Sequence, residues 1–199
     1  MANLVITIGR ENGSGGRQLG SELAAALGVK CYDSELINET AKASGFAKSF
    51  VETHEEHRPG SFLYSLVTGG GVVADEQPFP VQIFQAQSEV IRTIAARESC
   101  VIVGRCADYI LQDKAKCLKV FIHADMAFRA KRIVEVYGER EQSPEQRLRD
   151  KDKRRAAYHR FYTNMKWGYA QNYHITLDSG ELGIDKCADI IADLYKSKA

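Results

Sequence analysis

The stretch Val5-Ile6-Thr7-Ile8-Gly9-Arg10-Glu11-Asn12-Gly13-Ser14-Gly15-Gly16-Arg17-Gln18-Leu19-Gly20 constrains the fold more than any other part of the chain. A β-rich apolar run breaks off into a loop with glycines at 9, 13, 15 and 16. A helical pattern follows at once, with Leu19, Leu23, Ala26 and Leu27 on one face at 3.6-residue spacing. A strand that passes through glycines into a helix start offers its free N–H groups, and the positive end of the helix dipole, to an anion. Side chains would block that approach, and several loop positions call for positive φ, which is why the loop is glycine-rich.

The loop departs from the usual phosphate-binding pattern G-x-x-x-x-G-K-[ST]. With Gly13-Ser14-Gly15 set on the pattern's tail, Gly16 falls where lysine is expected, Arg17 comes one place later, and Gln18 sits near the magnesium-binding hydroxyl. No G-x-G-x-x-G opens the loop, which argues against a dinucleotide site.

Strand and helix patterns alternate through the rest of the chain. Gly28-Val29-Lys30-Cys31-Tyr32-Asp33 reads as a helix stop followed by a short strand, and Asp33-Ser34 caps a helix from Glu35 to Ala43. Residues 46–80 have no clear period. They hold a His/Glu cluster at 54–58, read as a solvated helix end before a metal site, and the triple glycine 69–71, read as a hinge or loop. An amphipathic helix spans Val81 to Arg97. Cys100 to Val103 and Leu118 to Ala124 are unbroken apolar runs of the kind buried in parallel sheets. Asp125 caps a helix to Tyr137, Tyr173 to Leu177 is a last strand, and Ile184 to Tyr195 a last helix. The expected fold is α/β: a parallel sheet flanked by helices in three layers.

Of 199 residues, 44% are hydrophobic, enough for the core of one domain, and the net charge is +1. A near-neutral chain carries no global field for nucleic acid or an anionic membrane. Five scattered cysteines form no C-x-x-C pair, and Cys100 and Cys117 lie in apolar runs as small buried hydrophobes. With no signal peptide and no long apolar span, the expected location is the reducing cytoplasm.

Three polar signals fall at strand ends, where open α/β sheets bind ligands: the glycine loop, Asp33, and Gly104-Arg105. Arginine beside glycine suits a two-pronged grip on phosphate. From Arg147 to Arg160, seven Lys/Arg face only Asp150 and Asp152. An ion-paired helix face, a nucleic-acid surface using Tyr158, Phe161 and Tyr162, and a mobile lid are the choices. Beside a phosphate loop, the lid is the most economical, since phosphoryl transfer needs cations over the transferred group. With nothing apolar to pin it before Tyr158, residues 139–160 are expected to move.

At these residues the chain resembles the cytidylate kinase-like family, a branch of P-loop nucleoside monophosphate kinases. The resemblance rests on I-T-I-G-R-E-N-G-S-G-G-R-Q-L-G, Tyr32-Asp33-Ser34, Val103-Gly104-Arg105, Arg129-Ala130-Lys131-Arg132, Asp152-Lys153-Arg154-Arg155, Trp167-Gly168, Asn172-Tyr173 and Leu177-Asp178-Ser179. The family's D-G-R has Val103 in place of its Asp. The resemblance implies a P-loop fold over residues 1–199, with an acceptor side near 33–98 and a basic lid near 139–160. It implies ATP as donor, magnesium, and a small phosphorylated acceptor, CMP or dCMP foremost. Gly13, Ser14, Gly15, Gly16, Arg17 and Gln18 are the expected phosphate residues, with Arg17 standing in for lysine. Asp33 and Arg105 are expected to face the acceptor, and Arg132, Arg154 and Arg155 to close over the transferred group. A kinase of another small molecule, or a nucleotide-binding regulator without the chemistry, are the rival expectations.

Overall fold

Short strands lie side by side in parallel: β1 (Val5–Arg10), β2 (Lys30–Tyr32), β3 (Cys100–Val103), β4 (Cys117–His123) and β5 (Ile175–Asp178). The protein is seen in a computed structural model that describes residues 3–33, 35–45, 79–113, 116–138 and 143–198. The His/Glu cluster and the triple glycine lie outside these residues, as does Ser34. Spatial order is β2-β3-β1-β4-β5, so the loop-bearing first strand is central.

The helices are α1 (Gly16–Leu27), α2 (Glu35–Ser44), α3 (Phe79–Arg97), α4 (Ala107–Ile110), α5 (Met126–Tyr137), α6 (Pro144–Thr163), α7 (Ser179–Leu182) and α8 (Ile184–Lys198). Strand alternation divides the core between the two sheet faces. Ile6, Ile8, Val101, Val103, Val120 and Ile122 pack toward α1 and α8. Val5, Cys100 and Ile102 pack toward α3, α4 and Tyr158 of α6. Cys100, Cys106, Cys117 and Cys187 are buried free thiols, and burial pushes the Cys100 thiol up to about 12.

Several expectations need correction. The inner face of α1 is Gly16, Leu19, Gly20, Leu23 and Ala24, whereas Ala26 is exposed. The shift follows from close packing on β3, where a Cβ at Gly20 would stand 2.8 Å from Val103 Cγ2. β5 starts at Ile175, because Tyr173 turns to pack on Phe121 with ring centres 4.9 Å apart. The basic run is also anchored well before Tyr158. Leu148 is fully buried against Ala130 and Ile133 of α5, and α6 is one continuous helix to Thr163. One apolar residue in a highly charged helix carries little periodic signal, yet burying it contributes roughly 1.5–3 kcal/mol. At its far end, α6 is held by His159, whose Nε2 lies 3.2 Å from Asp108 Oδ2 of α4.

Candidate functional site

The glycine loop lies at the carboxyl end of β1. Gly13 and Gly15 adopt φ of +80° and +79°, and Gly15 is the N-cap of α1. No side chain caps α1 and no acid stands in its first turn. Its leading N–H groups are thus left for an outside acceptor. Ser14 is fully buried: its Oγ donates to the Glu11 carbonyl at 2.9 Å, and its own carbonyl accepts from Ser179 Oγ at 2.6 Å. Its hydroxyl is spent in shaping the loop, which leaves only backbone to face a ligand.

The parallel order brings the three strand-end signals together beside the loop. Arg17, 61% exposed, pairs through Nε with Asp33 Oδ2. Arg10, the last residue of β1, is buried, and its Nη2 lies 4.0 Å from Asp33 Oδ1. Its guanidinium lies against Gly104 after β3. Gly104, Arg105 and Cys106 all have positive φ, at +77°, +59° and +53°. A run of left-handed residues is costly, and it persists only where surrounding packing enforces it. Gln87 of α3 supplies part of that hold, donating from Nε2 to the Arg105 carbonyl at 3.4 Å and to Tyr158 Oη at 3.3 Å. Burial pushes the Tyr158 phenol well above its usual range, so it stays protonated.

Arg132 reaches the loop from α5. Its Nη2 donates to Gln18 Oε1, and its Nε, buried and without a hydrogen-bond partner among the described residues, lies 3.4 Å from where a Gly15 Cβ would be. Arg154 is exposed and Arg155 half-buried on α6. Sequence reasoning passed over the buried network one turn earlier. Arg129 Nη1 contacts Asp152 Oδ2 at 2.5 Å and donates to the Asn12 carbonyl at 3.3 Å, while its Nε is 3.5 Å from Glu11 Oε2. Asp152 Oδ1 accepts the Asn12 N–H at 2.7 Å, and Glu11 Oε2 the Ala124 N–H at 3.2 Å. The bend of the loop is therefore clamped to α5 and α6. Burial raises the Glu11 carboxyl above its usual range, partly opposed by Arg129. The available signal was the pairing of Arg129 with Asp152 in the two charged motifs, which no local period connects.

Beyond Glu11 the edge changes character. A cleft of about 520 Å³ opens at the ends of β4 and β5, between Glu11, His123, Asp125 and Asp178 and the rings of Phe121 and Trp167. No three His, Cys, Asp or Glu side chains come together as a metal-holding group among the described residues. Magnesium in particular is poorly served beside the loop: the Ser14 hydroxyl points inward, Gln18 is bonded to Arg132 and Glu22, and Asp33 faces two arginines, its Oδ2 paired with Arg17 and its Oδ1 4.0 Å from Arg10. These residues do not fit a protein-held magnesium ion. No described helix is long and apolar enough to cross a membrane.

A parallel sheet in this order, with a glycine loop between its central strand and α1, has the fold of P-loop kinases. The chain belongs to the cytidylate kinase-like family, whose model matches residues 5–181. An uncharacterized protein from Eubacterium ventriosum is similar at 30% identity, over 98% of this chain and 99% of its own, with a TM-score of 0.75. Shikimate kinase from Acinetobacter baumannii is similar in fold at 17% identity, over 99% and 94% of the two chains, with a TM-score of 0.52. A gluconokinase from Sinorhizobium meliloti follows at 15% identity, 98% of each chain and a TM-score of 0.51. No curated protein matches the chain.

Proposed function

We propose that the protein is an ATP-dependent phosphotransferase that moves the γ-phosphoryl group to a nucleoside monophosphate, CMP or dCMP foremost. The observation that carries this is the open N-terminus of α1, set among Arg10, Arg17 and Arg132. Membership of a kinase-like family supports it. The amides of Gly13, Ser14, Gly15 and Gly16 hold the donor's phosphates, and Arg17 and Arg132 neutralise them with Gln18 between. Asp33 and Arg105, at the ends of β2 and β3, face the acceptor. Arg154 and Arg155, on α6, supply cations for the transferred group. Positioning and charge do most of the work in such a transfer, so no general base is required of the chain. Magnesium arrives with the nucleotide, held by phosphate oxygens and water. The free thiols suit a cytoplasmic enzyme.

A kinase of another small molecule is favoured by one detail. Val103 is buried against α1, so the carboxylate of the family's D-G-R has no counterpart here. ADP release from Mg-ATP across a panel of nucleoside monophosphates and other small acceptors separates the readings. Turnover with CMP or dCMP is the expected outcome. Turnover only with a non-nucleotide acceptor shifts the substrate class, and ATP binding without any turnover leaves a regulator.

A further inference from the structure

The loop lacks its usual lysine, and the residue in that place, Gly16, is crowded rather than open. A Cβ there would stand 2.6 Å from Arg10 Cβ and 3.0 Å from Arg10 Cγ. The stem of Arg10 thus occupies the space through which any side chain at 16 would leave the backbone. Beyond the stem, the guanidinium lies against Gly104 and 4.0 Å from Asp33 Oδ1. It therefore stands between the glycine loop and the strand ends on the acceptor side. Arg10 is 8% exposed and cannot give up its proton, so this position holds a fixed positive charge. It lies beside the positive end of α1, and one carboxylate, Asp33, is shared with Arg17. A cation beside a helix N-terminus adds to the positive field that draws an anion there.

We infer that Arg10 supplies the loop's phosphate-gripping cation, and that Gly16 is glycine to make room for it. Two positions, an arginine ending the strand and a glycine opening the helix, do together what a lysine on the helix does in the usual loop. Resting on the phosphotransferase assignment above, this names the residue that holds the donor's polyphosphate. Arg17 is the weaker candidate, because it lies mostly in solvent, where an ion pair contributes little.

Four variants test it: Arg10→Ala, Arg10→Lys, Gly16→Lys and the double variant Arg10→Ala/Gly16→Lys. Each is titrated with Mg-ATP and with inorganic tripolyphosphate by calorimetry, and its thermal midpoint is recorded. Losing a charge-assisted hydrogen bond should weaken both ligands about ten- to a hundredfold in Arg10→Ala, and less in Arg10→Lys. Gly16→Lys alone should lower the midpoint, and that loss should shrink once Arg10 is removed. The double variant should bind tripolyphosphate more tightly than Arg10→Ala does. If the wild type binds both ligands and Arg10→Ala binds them as well, the assignment of Arg10 falls alone. If neither ligand binds the wild type, the phosphotransferase assignment falls and takes Arg10 with it. Should Arg10→Ala not fold, an equal midpoint loss from Gly16→Lys in the wild-type and Arg10→Lys chains still bears out the clash, since both keep the stem. No loss in either shows that the space is not shared and overturns the pairing.

Discussion

Of the helices that begin at the carboxyl edge of the sheet, the three that follow β1, β4 and β5 treat their exposed N–H groups differently. At the end of β4, Asp125 Oδ1 accepts from the Phe128 N–H at 2.8 Å. At the end of β5, Asp178 Oδ1 accepts from Gly180 at 2.9 Å and Glu181 at 3.2 Å. Only α1, at the end of β1, has neither an N-cap side chain nor an acid in its first turn. The side-chain charges divide the same way. Arg10 and Arg17 meet Asp33 beyond β1 and β2, while the carboxylates of Glu11, Asp125 and Asp178, with His123 and the rings of Phe121 and Trp167, line the cleft over β4 and β5. The proposed phosphate site falls in the first half. Glu11, Arg129 and Asp152 form the seam between them.

Breaking the seam should have the largest effect. Arg129 is buried, so Arg129→Ala leaves Asp152 and Glu11 without their cation, at a cost of about 3 kcal/mol. Urea denaturation measures it; a loss below that of a surface ion pair would mean the loop is positioned without the clamp.

Making α1 resemble the other two helices should abolish the contrast. Arg17→Glu places an acid in the first turn beside Asp33, and Mg-ATP affinity should drop on the order of a hundredfold. Calorimetry that finds the affinity intact would place the anion elsewhere. The converse change is smaller. Asp178→Ala removes a cap worth about 1 kcal/mol, and tripolyphosphate binding should be unchanged.

The smallest effect is expected at Glu11, and its sign follows from burial. Its carboxyl is raised in the folded chain, so folding favours the protonated form. That contribution is present below the unfolded value near 4.5 and is lost as pH rises through the raised value. Glu11→Gln removes this loss, so the variant should gain on the wild type as pH rises from 4 to 7. Thermal midpoints across that range check it. A difference that does not vary with pH would mean that Arg129 compensates the buried charge fully.

Much of the frame was legible from local pattern. Val5 to Ile8 and Cys100 to Val103 are buried throughout, Leu118, Val120, Phe121 and Ile122 are buried in the third apolar run, and Asp125 caps where a cap was expected. The glycine loop announced positive φ at several of its positions, and Gly13 and Gly15 have it, whereas Gly9 and Gly16 do not. Less was legible in the candidate site. Arg10 received no role from the sequence, because nothing there says that its stem crosses Gly16. Leu148 was passed over as an anchor, because its partners, Ala130 and Ile133, belong to another helix.

What the sequence by itself determined is the alternation of elements and the position of the glycine loop, since strand alternation, helical spacing and glycine's freedom act within a few residues. Only the tertiary structure decided which strand ends meet. Placing β3 between β2 and β1 brings Asp33, Gly104 and Arg10 to one spot from three parts of the chain. The packing of α5 and α6 joins Arg129 to Asp152 and both to Asn12, 117 and 140 residues away in the chain. Such pairs depend on strand order and helix docking, which are set by the burial of the whole apolar surface and leave no mark on local spacing.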